Sequence, residues 1–392
     1  MPKPFFYTEE VGENNNPKYN GTVAVRFYPK PPFQLNKPTA SGGRFSTAIL
    51  KPKAQKYNAC MAILQNILMT LGGVTLFLLG LKFMSDNMFD LTGRKVKAVL
   101  KGVTKNRFAG VVTGTLVTAA IQSSIATNVI LVGFVSAGVI TFEAAAAVIM
   151  GANIGTTVTA QLVSLSGKQF FDITAFGAAI CFTGFLISLL KNKKIKSVGG
   201  VMVGFGMLFF GLDIVNDGVL FFKNFEAFRK VFLVKNELLL FLNGVIVTAL
   251  IQSSSAVTSI MIILAGNGLL SFENSMFLIL GANVGTCLCV IAASINKPVE
   301  ARRTAFFNFA FNLFGSLILF LPLILFKTQV AAWFASFSHG TERMIANFHT
   351  LFNLLVTAVL LPALKPFTRL ISKIITDKTA TEPARKRQAA KI

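Results

Sequence analysis

Long apolar stretches dominate this chain. Six runs, at about 63–84, 142–164, 172–190, 197–221, 272–295 and 303–326, are each long enough to cross a bilayer as a helix. About 20 residues span the ~30 Å hydrocarbon layer. A seventh, 343–363, carries Asn347, His349 and Asn353 among its leucines. Only 14% of residues are charged and 53% are hydrophobic, whereas a water-soluble domain carries about 25% charged residues. Soluble enzyme, disordered protein and fibrous protein are therefore poor descriptions. An all-α polytopic membrane protein is the expected class.

Two further apolar stretches, about 108–139 and 238–270, are too long for one ordinary helix and too short for two spans with a loop. Each is interrupted by a polar cluster, Gln122-Ser123-Ser124 and Gln252-Ser253-Ser254-Ser255. A re-entrant hairpin, entering and leaving on one side, fits this pattern, provided that protein or water shields its turn.

The polar words are duplicated. Residues 117–124 and 247–254 agree at seven of eight positions, 130 apart. The same offset maps Gly151-Ala152-Asn153-Ile154-Gly155-Thr156 onto Gly281-Ala282-Asn283-Val284-Gly285-Thr286, and Phe142-Glu143 onto Phe272-Glu273. Gly80-Leu81 and Asp86 map onto Gly211-Leu212 and Asp217 at 131. Each unit holds one span, one hairpin and two further spans. The hairpin adds no crossing, so three crossings turn the second unit upside down. The expected architecture is two inverted-topology repeats, each with a re-entrant helical hairpin and a broken helix, as in secondary transporters. The expected break lies at the Gly-Ala-Asn words, where two glycines four apart weaken a helix by roughly 1 kcal/mol each.

The formal charge of +22 sits between the apolar runs and at the ends, which argues for membrane topology rather than nucleic acid. Loops 85–107, 191–196 and 296–303 hold six, four and three Lys or Arg, and more follow residue 363. Loops 165–171 and 327–342 hold one each, and 222–237 holds four with two acids. The first set is expected on the cytoplasmic side, with the C-terminus inside an inner (plasma) membrane. Residues 1–60 hold eight prolines and nine Lys or Arg. They are expected to be a disordered basic tail or upstream extension, with Met61 as the functional start. The remaining divisions are membrane repeat 1 over 61–196, membrane repeat 2 over 197–327, a final membrane helix over 328–365 and a basic tail over 366–392. Cys60, Cys181, Cys287 and Cys289 have no framework or metal spacing and are expected to be small buried residues.

Chemically, the words offer amides and hydroxyls without fixed charge. Such groups both donate and accept hydrogen bonds. A helix broken in mid-membrane adds backbone N–H groups facing an anion and freed carbonyls facing a cation. Gly, Ser and Thr in membrane helices are as a rule packing residues. The paired Gln-Ser-Ser, matched by a paired Gly-Ala-Asn, favours a site instead, because an unpartnered glutamine is costly in lipid. Glu143, Glu273, Asp86, Asp217 and Asp213 are expected at or near helix ends, and Arg302-Arg303 as an anchor at the membrane surface. Neither His339 nor His349 belongs to a nucleophile or metal constellation, so an enzyme is not expected.

With these words, the chain over about 61–365 resembles the Na⁺/phosphate cotransporter family, the type II sodium–phosphate symporters and their bacterial relatives. Ala301-Arg302-Arg303, Phe311-Asn312 and residues 345–353 belong to the same likeness. The resemblance implies sodium-driven import of inorganic phosphate, with the two hairpins meeting to hold both solutes. Gln122, Ser123, Ser124, Gln252, Ser253, Ser254 and Ser255 are the expected substrate-binding residues. Thr127, Asn128, Asn153, Thr156, Thr157, Thr258, Asn283 and Thr286 are expected at sodium, with Asn312 and Asn353 in support. Sodium is the only metal implied, as coupling ion, with no cofactor. The first copy carries Ile125 and Asn128 where the family word has Ser and Thr. The second carries Val257 for Thr, and Cys287 stands opposite Thr157. A sodium-coupled carrier of another small solute, or a non-transporting regulator of phosphate signalling, would share much of this pattern.

Overall fold

In the computed structural model the described residues are 6–7, 28–29, 47–102, 106–165, 173–223, 225–226 and 236–376. The chain divides into two compact units, Met1–Cys60 and Met61–Ile392. The expected tail over 1–60 falls largely outside the described residues. Within it, Phe6–Tyr7 and Tyr28–Pro29 pair as a two-residue antiparallel ladder.

Twelve helices are described. They are α1 (Thr47–Gly102), α2 (Arg107–Ile121), α3 (Ser124–Ser136), α4 (Phe142–Ser164), α5 (Ile173–Ser188), α6 (Lys193–Phe222), α7 (Glu237–Ile251), α8 (Ser254–Gly266), α9 (Phe272–Ser294), α10 (Val299–Ala335), α11 (Thr341–Leu360) and α12 (Leu364–Ile374). Among the described residues, six candidate membrane spans lie at Met61–Gly102, Phe142–Ser164, Lys193–Phe222, Phe272–Ser294, Val299–Ala335 and Thr341–Leu360. The apolar run at 172–190 yields the 16-residue α5, shorter than a full crossing needs. The run with Asn347 and His349 becomes a full-length helix. The divisions expected at 196/197, 327/328 and 365/366 fall inside α6, α10 and α12.

The duplication governs the backbone. Helices α2, α3 and α4 begin and end 130 residues before α7, α8 and α9. Each start is capped by the same kind of side chain: Asn106 and Asn236, Ser123 and Ser253, Thr141 and Ser271. These oxygens accept the N–H groups that a helix start leaves unbonded.

The Gly-Ala-Asn words do not break their helices. Phe142–Ser164 and Phe272–Ser294 run without interruption. Their glycines are a packing seam. A Cβ on Gly151 would collide with the Val111 carbonyl, and one on Gly281 with the Phe241 carbonyl. Gly114 and Gly244 make the reciprocal approach to the backbone of α4 and α9. Helix α2 thus lies backbone-to-backbone on α4, and α7 on α9, the close approach that small residues permit between membrane helices. The seam outweighs the low helix propensity of glycine.

The core sits around α4 and α9. In each, 67% of the most apolar window is buried, against 22% for Met61–Gly102. The halves interlock there: α8 packs on α4, and α3 on α9 and α10. Helix α11 packs on α4, α8, α9 and α10. At one end Arg107 donates to the carbonyls of Leu361 and Pro362, and Arg303 to those of Ser372 and Ile375. Elsewhere Lys327 pairs with Glu237, and Arg343 donates to Ser164. Arg303 thus ties the start of α10 to the end of α12, and the stretch expected as a tail from 366 is helical as far as Ile374.

Two alanine substitutions test the seam. Gly151→Ala should destabilise the detergent-solubilised protein by about 1–3 kcal/mol through overpacking. Gly133→Ala, with nothing within 4 Å of the added carbon, should be neutral or stabilise by roughly 0.5–1 kcal/mol. Thermal unfolding of the two variants reads the contrast.

Candidate functional site

The chain leaves helical geometry at Gln122 and Gln252. Both adopt left-handed backbone at φ 59°, and they are the only non-glycine residues with positive φ among those described. That conformation costs an L-residue roughly 1–2 kcal/mol. Each Gln N–H still closes the preceding helix on Thr118 or Thr248 at 2.7 Å. Ser123 and Ser253 then cap the next helix by accepting from Ala126 and Ala256 at 3.2 Å. The breaks lie in the Gln-Ser words, where the hairpin tips were expected.

The side chains behind the two breaks differ. Gln122 Nε2 donates to the Ala119 carbonyl at 2.6 Å, and its Oε1 accepts from Thr159 Oγ1 at 2.6 Å. Met84, Phe205, Leu208 and Phe209 close a small cavity over this pair. Gln252 is exposed, and the residue equivalent to Thr159 is Cys289, whose thiol donates to the Thr286 carbonyl. In the first half Thr118 donates to Thr127 at 3.1 Å. Val257 replaces Thr127 in the second copy, and Thr248 Oγ1 has no partner among the described residues.

The other expected residues fall into three groups. Ser124 is half-buried, Ser254 is buried, and Ser255 Oγ donates across the halves to the Thr156 carbonyl at 3.4 Å. Thr127, Thr156, Thr157 and Thr286 turn their hydroxyl hydrogens onto carbonyls of their own segments. Asn153 and Asn283 likewise donate to Ile149 and Ile279, both at 2.9 Å. A third group joins the halves: Asn308 Oδ1 accepts from Asn153 and Asn312, both at 3.3 Å, and Asn312 also donates to Cys287 Sγ. Among the described residues, Cys287 is buried, and Cys181 and Cys289 are half-buried free thiols.

Eight buried polar atoms have no partner among the described residues: Asn128 Oδ1, Thr248 Oγ1, Thr258 Oγ1, Asn312 Oδ1, both His349 ring nitrogens, Asn353 Oδ1 and Thr357 Oγ1. Buried polar groups are nearly always bonded, and each orphan costs about 1–3 kcal/mol. Most of these atoms are neutral oxygens, on α3, α7, α8, α10 and α11. His349, Asn353 and Thr357 form a single row, one helical turn apart. Sequence reasoning expected Asn128, Thr258, Asn312 and Asn353 here. It missed Thr118, Thr248, Thr159, Asn308, His349 and Thr357. The identical Thr118 and Thr248 inside the duplicated word were a usable signal, and His349 lay in a stretch already carrying the resemblance. Thr159 and Asn308 gave no comparable signal.

The threonine pair is testable by exchange. Thr127→Val should orphan Thr118 and destabilise the protein by about 1 kcal/mol. Val257→Thr should give Thr248 a partner and stabilise it by a similar amount. Opposite shifts in thermal midpoint are expected.

A family model described as Na⁺/Pi-cotransporter matches residues 76–217 and again 224–358. The chain is 27% identical over 325 residues to an uncharacterized protein, YqeW, of Bacillus subtilis, covering 78% of this chain and 97% of that protein. It is 26% identical over 315 residues to a putative inorganic phosphate export protein, YjbB, of Escherichia coli, covering 80% of this chain and 56% of that protein. It is 39% identical over 112 residues to sodium-dependent phosphate transport protein 2A of Rattus norvegicus, covering 28% of this chain and 17% of that protein. No solved structure matches. The two matches of the family model, one to each half and together spanning most of the helical bundle, show that the chain belongs to the Na⁺/Pi-cotransporter family.

Proposed function

We propose that this protein is a sodium-coupled symporter that imports inorganic phosphate by alternating access, with its two Gln-Ser breaks as paired half-sites. The observation that carries the reading is the matched left-handed glutamine, capped by serine, in both halves. Strained backbone in duplicate points to function. Helices α3 and α8 start beside it, and a helix start favours an anion. The unpartnered amide and hydroxyl oxygens on α3, α7, α8, α10 and α11 are hard, neutral ligands suited to sodium. A multivalent anion among neutral groups needs companion cations. In this assignment Gln122, Ser123, Ser124 and Gln252 to Ser255 meet phosphate. Thr127, Asn128, Asn153, Thr156, Thr157, Thr258, Asn283 and Thr286 serve sodium, supported by Asn312 and Asn353.

Inverted repeats are part of the proposal. Helix α10 gives them support. Near its start, Arg303 holds the segment that follows α11, to which Arg107 at the head of α2 is also tied. Near its end, Lys327 holds Glu237 at the head of α7. Residues 303 and 327 are about 36 Å apart along α10, which kinks at Phe326, a separation that supports opposite starting ends for the equivalent helices α2 and α7. Both hairpins would then re-enter from opposite faces, with the basic end cytoplasmic. The unlike states of Gln122, held by Thr159, and Gln252, which is exposed, suit a carrier with one half closed.

An export reading is favoured by one observation, the name of the Escherichia coli relative. Proteoliposomes and radiolabelled phosphate separate the two. Uptake should require an inward sodium gradient and vanish with choline. Gln122→Ala and Gln252→Ala should each abolish it in folded protein. Uptake at the same rate on a proton gradient without sodium would overturn the coupling. Loss of preloaded phosphate against an inward sodium gradient would favour export.

Ser255→Ala should lower apparent sodium affinity roughly 5- to 150-fold, the equivalent of about 1–3 kcal/mol. Ile125→Ala, which removes no oxygen, should leave sodium activation unchanged. Superimposable activation curves for the two variants would remove Ser255 from the cation site.

A further inference from the structure

Helix α12 has three distinct faces. Leu364, Phe367, Thr368 and Ile371 are buried against α4 and α10. Lys365, Arg369 and Lys373 are exposed and recur every fourth residue, so they form one row. Leu370 and Ile374, 45% and 59% exposed, form a second exposed row. At about 100° per residue, this apolar row lies between the basic row and the buried seam. A helix on a water-facing surface would gain nothing from that flank.

Its position is equally specific. The helix follows α11, a candidate span, after three residues. A 20-residue helix is about 30 Å long, so α12 begins where the chain leaves the hydrocarbon layer. Arg107 holds its approach through Leu361 and Pro362 at 3.2 Å. Arg303 holds its far end through Ser372 at 3.1 Å and Ile375 at 2.9 Å. These arginines spend donors on backbone carbonyls and fix the helix across the bundle end.

We propose that α12 is an interfacial helix that binds the headgroups of anionic phospholipids through Lys365, Arg369 and Lys373. Leu370 and Ile374 enter the acyl boundary beside them. The occupant follows from charge and depth together. Three cations in a row complement a negatively charged lipid surface. An apolar flank next to them is the pattern of a helix lying in the interface plane, with long basic side chains reaching out to the headgroups. Free phosphate would use the basic row and leave the apolar row unexplained. The proposal does not depend on which solute is carried.

The test uses the full-length protein in detergent, titrated with phosphatidylglycerol or phosphatidylcholine and followed by thermal unfolding. Phosphatidylglycerol should raise the midpoint and phosphatidylcholine should not, whereas any shift with inorganic phosphate, which would arise at the transport site, should be the same in wild type and in the variants below. Each basic side chain near an anionic surface is worth about fivefold in affinity. The K365Q/R369Q/K373Q variant should therefore need on the order of 100-fold more phosphatidylglycerol. Should that variant lose its fold, Arg369→Gln alone should shift the titration about fivefold. Depth is read independently by Leu370→Trp in a Trp333→Phe background, which removes the only native tryptophan. Brominated phosphatidylglycerol should quench its fluorescence. An unchanged titration in the variants, an equal response to phosphatidylcholine, or an unquenched tryptophan would each overturn the proposal.

Discussion

Backbone contact between α2 and α4, and between α7 and α9, is the constraint on which the rest of this molecule depends. A bilayer offers no water to an open helix end, so a chain break inside it must find its partners in protein. Gly114 and Gly151 in one half, and Gly244 and Gly281 in the other, let two helix backbones touch. That contact sets the end of α2 beside α4, where Thr159 can reach Gln122 at 2.6 Å. Ser123 and Ser253 then close the exposed start of the following helix. Without the seam, the strained glutamines would be two unsupported kinks.

The same backbone carries two different polar interiors. Helix bounds, caps and left-handed residues agree between the halves, while the side chains behind them diverge. Thr159 becomes Cys289, Thr127 becomes Val257, Asn128 becomes Thr258 and Ile125 becomes Ser255. These exchanges change the hydrogen-bonding groups that line each interior. The first half pairs Thr118 with Thr127 and Gln122 with Thr159 and leaves Asn128 Oδ1 unpartnered. The second leaves Thr248 and Thr258 unpartnered. Duplication supplied the frame, and substitution inside it made the two polar interiors chemically unequal.

Helix α10 ties the halves together. Its Asn308 accepts from Asn153 of the first half and from Asn312, which also reaches Cys287 of the second. Ser316 on the same helix donates to the Leu280 carbonyl at 3.0 Å. These are neutral groups, each cheap to bury only while paired. On α11 Asn353 donates to the His349 carbonyl, while both His349 ring nitrogens, Asn353 Oδ1 and Thr357 Oγ1 have no partner among the described residues.

By itself the sequence determined the membrane class, the duplication and the place of the two Gln-Ser breaks, because hydrophobic length and a repeated polar word are local properties. It also determined that Lys and Arg gather between and beyond the apolar runs, since charge is costly inside the hydrocarbon layer. Tertiary structure alone decided the role of the Gly-Ala-Asn glycines. One glycine pair weakens an isolated helix and strengthens a packed one, and only the neighbouring backbone tells which effect wins. It decided likewise that Gln122 is held and Gln252 exposed, because the partner, Thr159 or Cys289, lies 37 residues away in the chain. The docking of α12 was hidden for the same reason. Its buried face is defined by α4 and α10, and the arginines that hold it come from the heads of helices far apart in sequence.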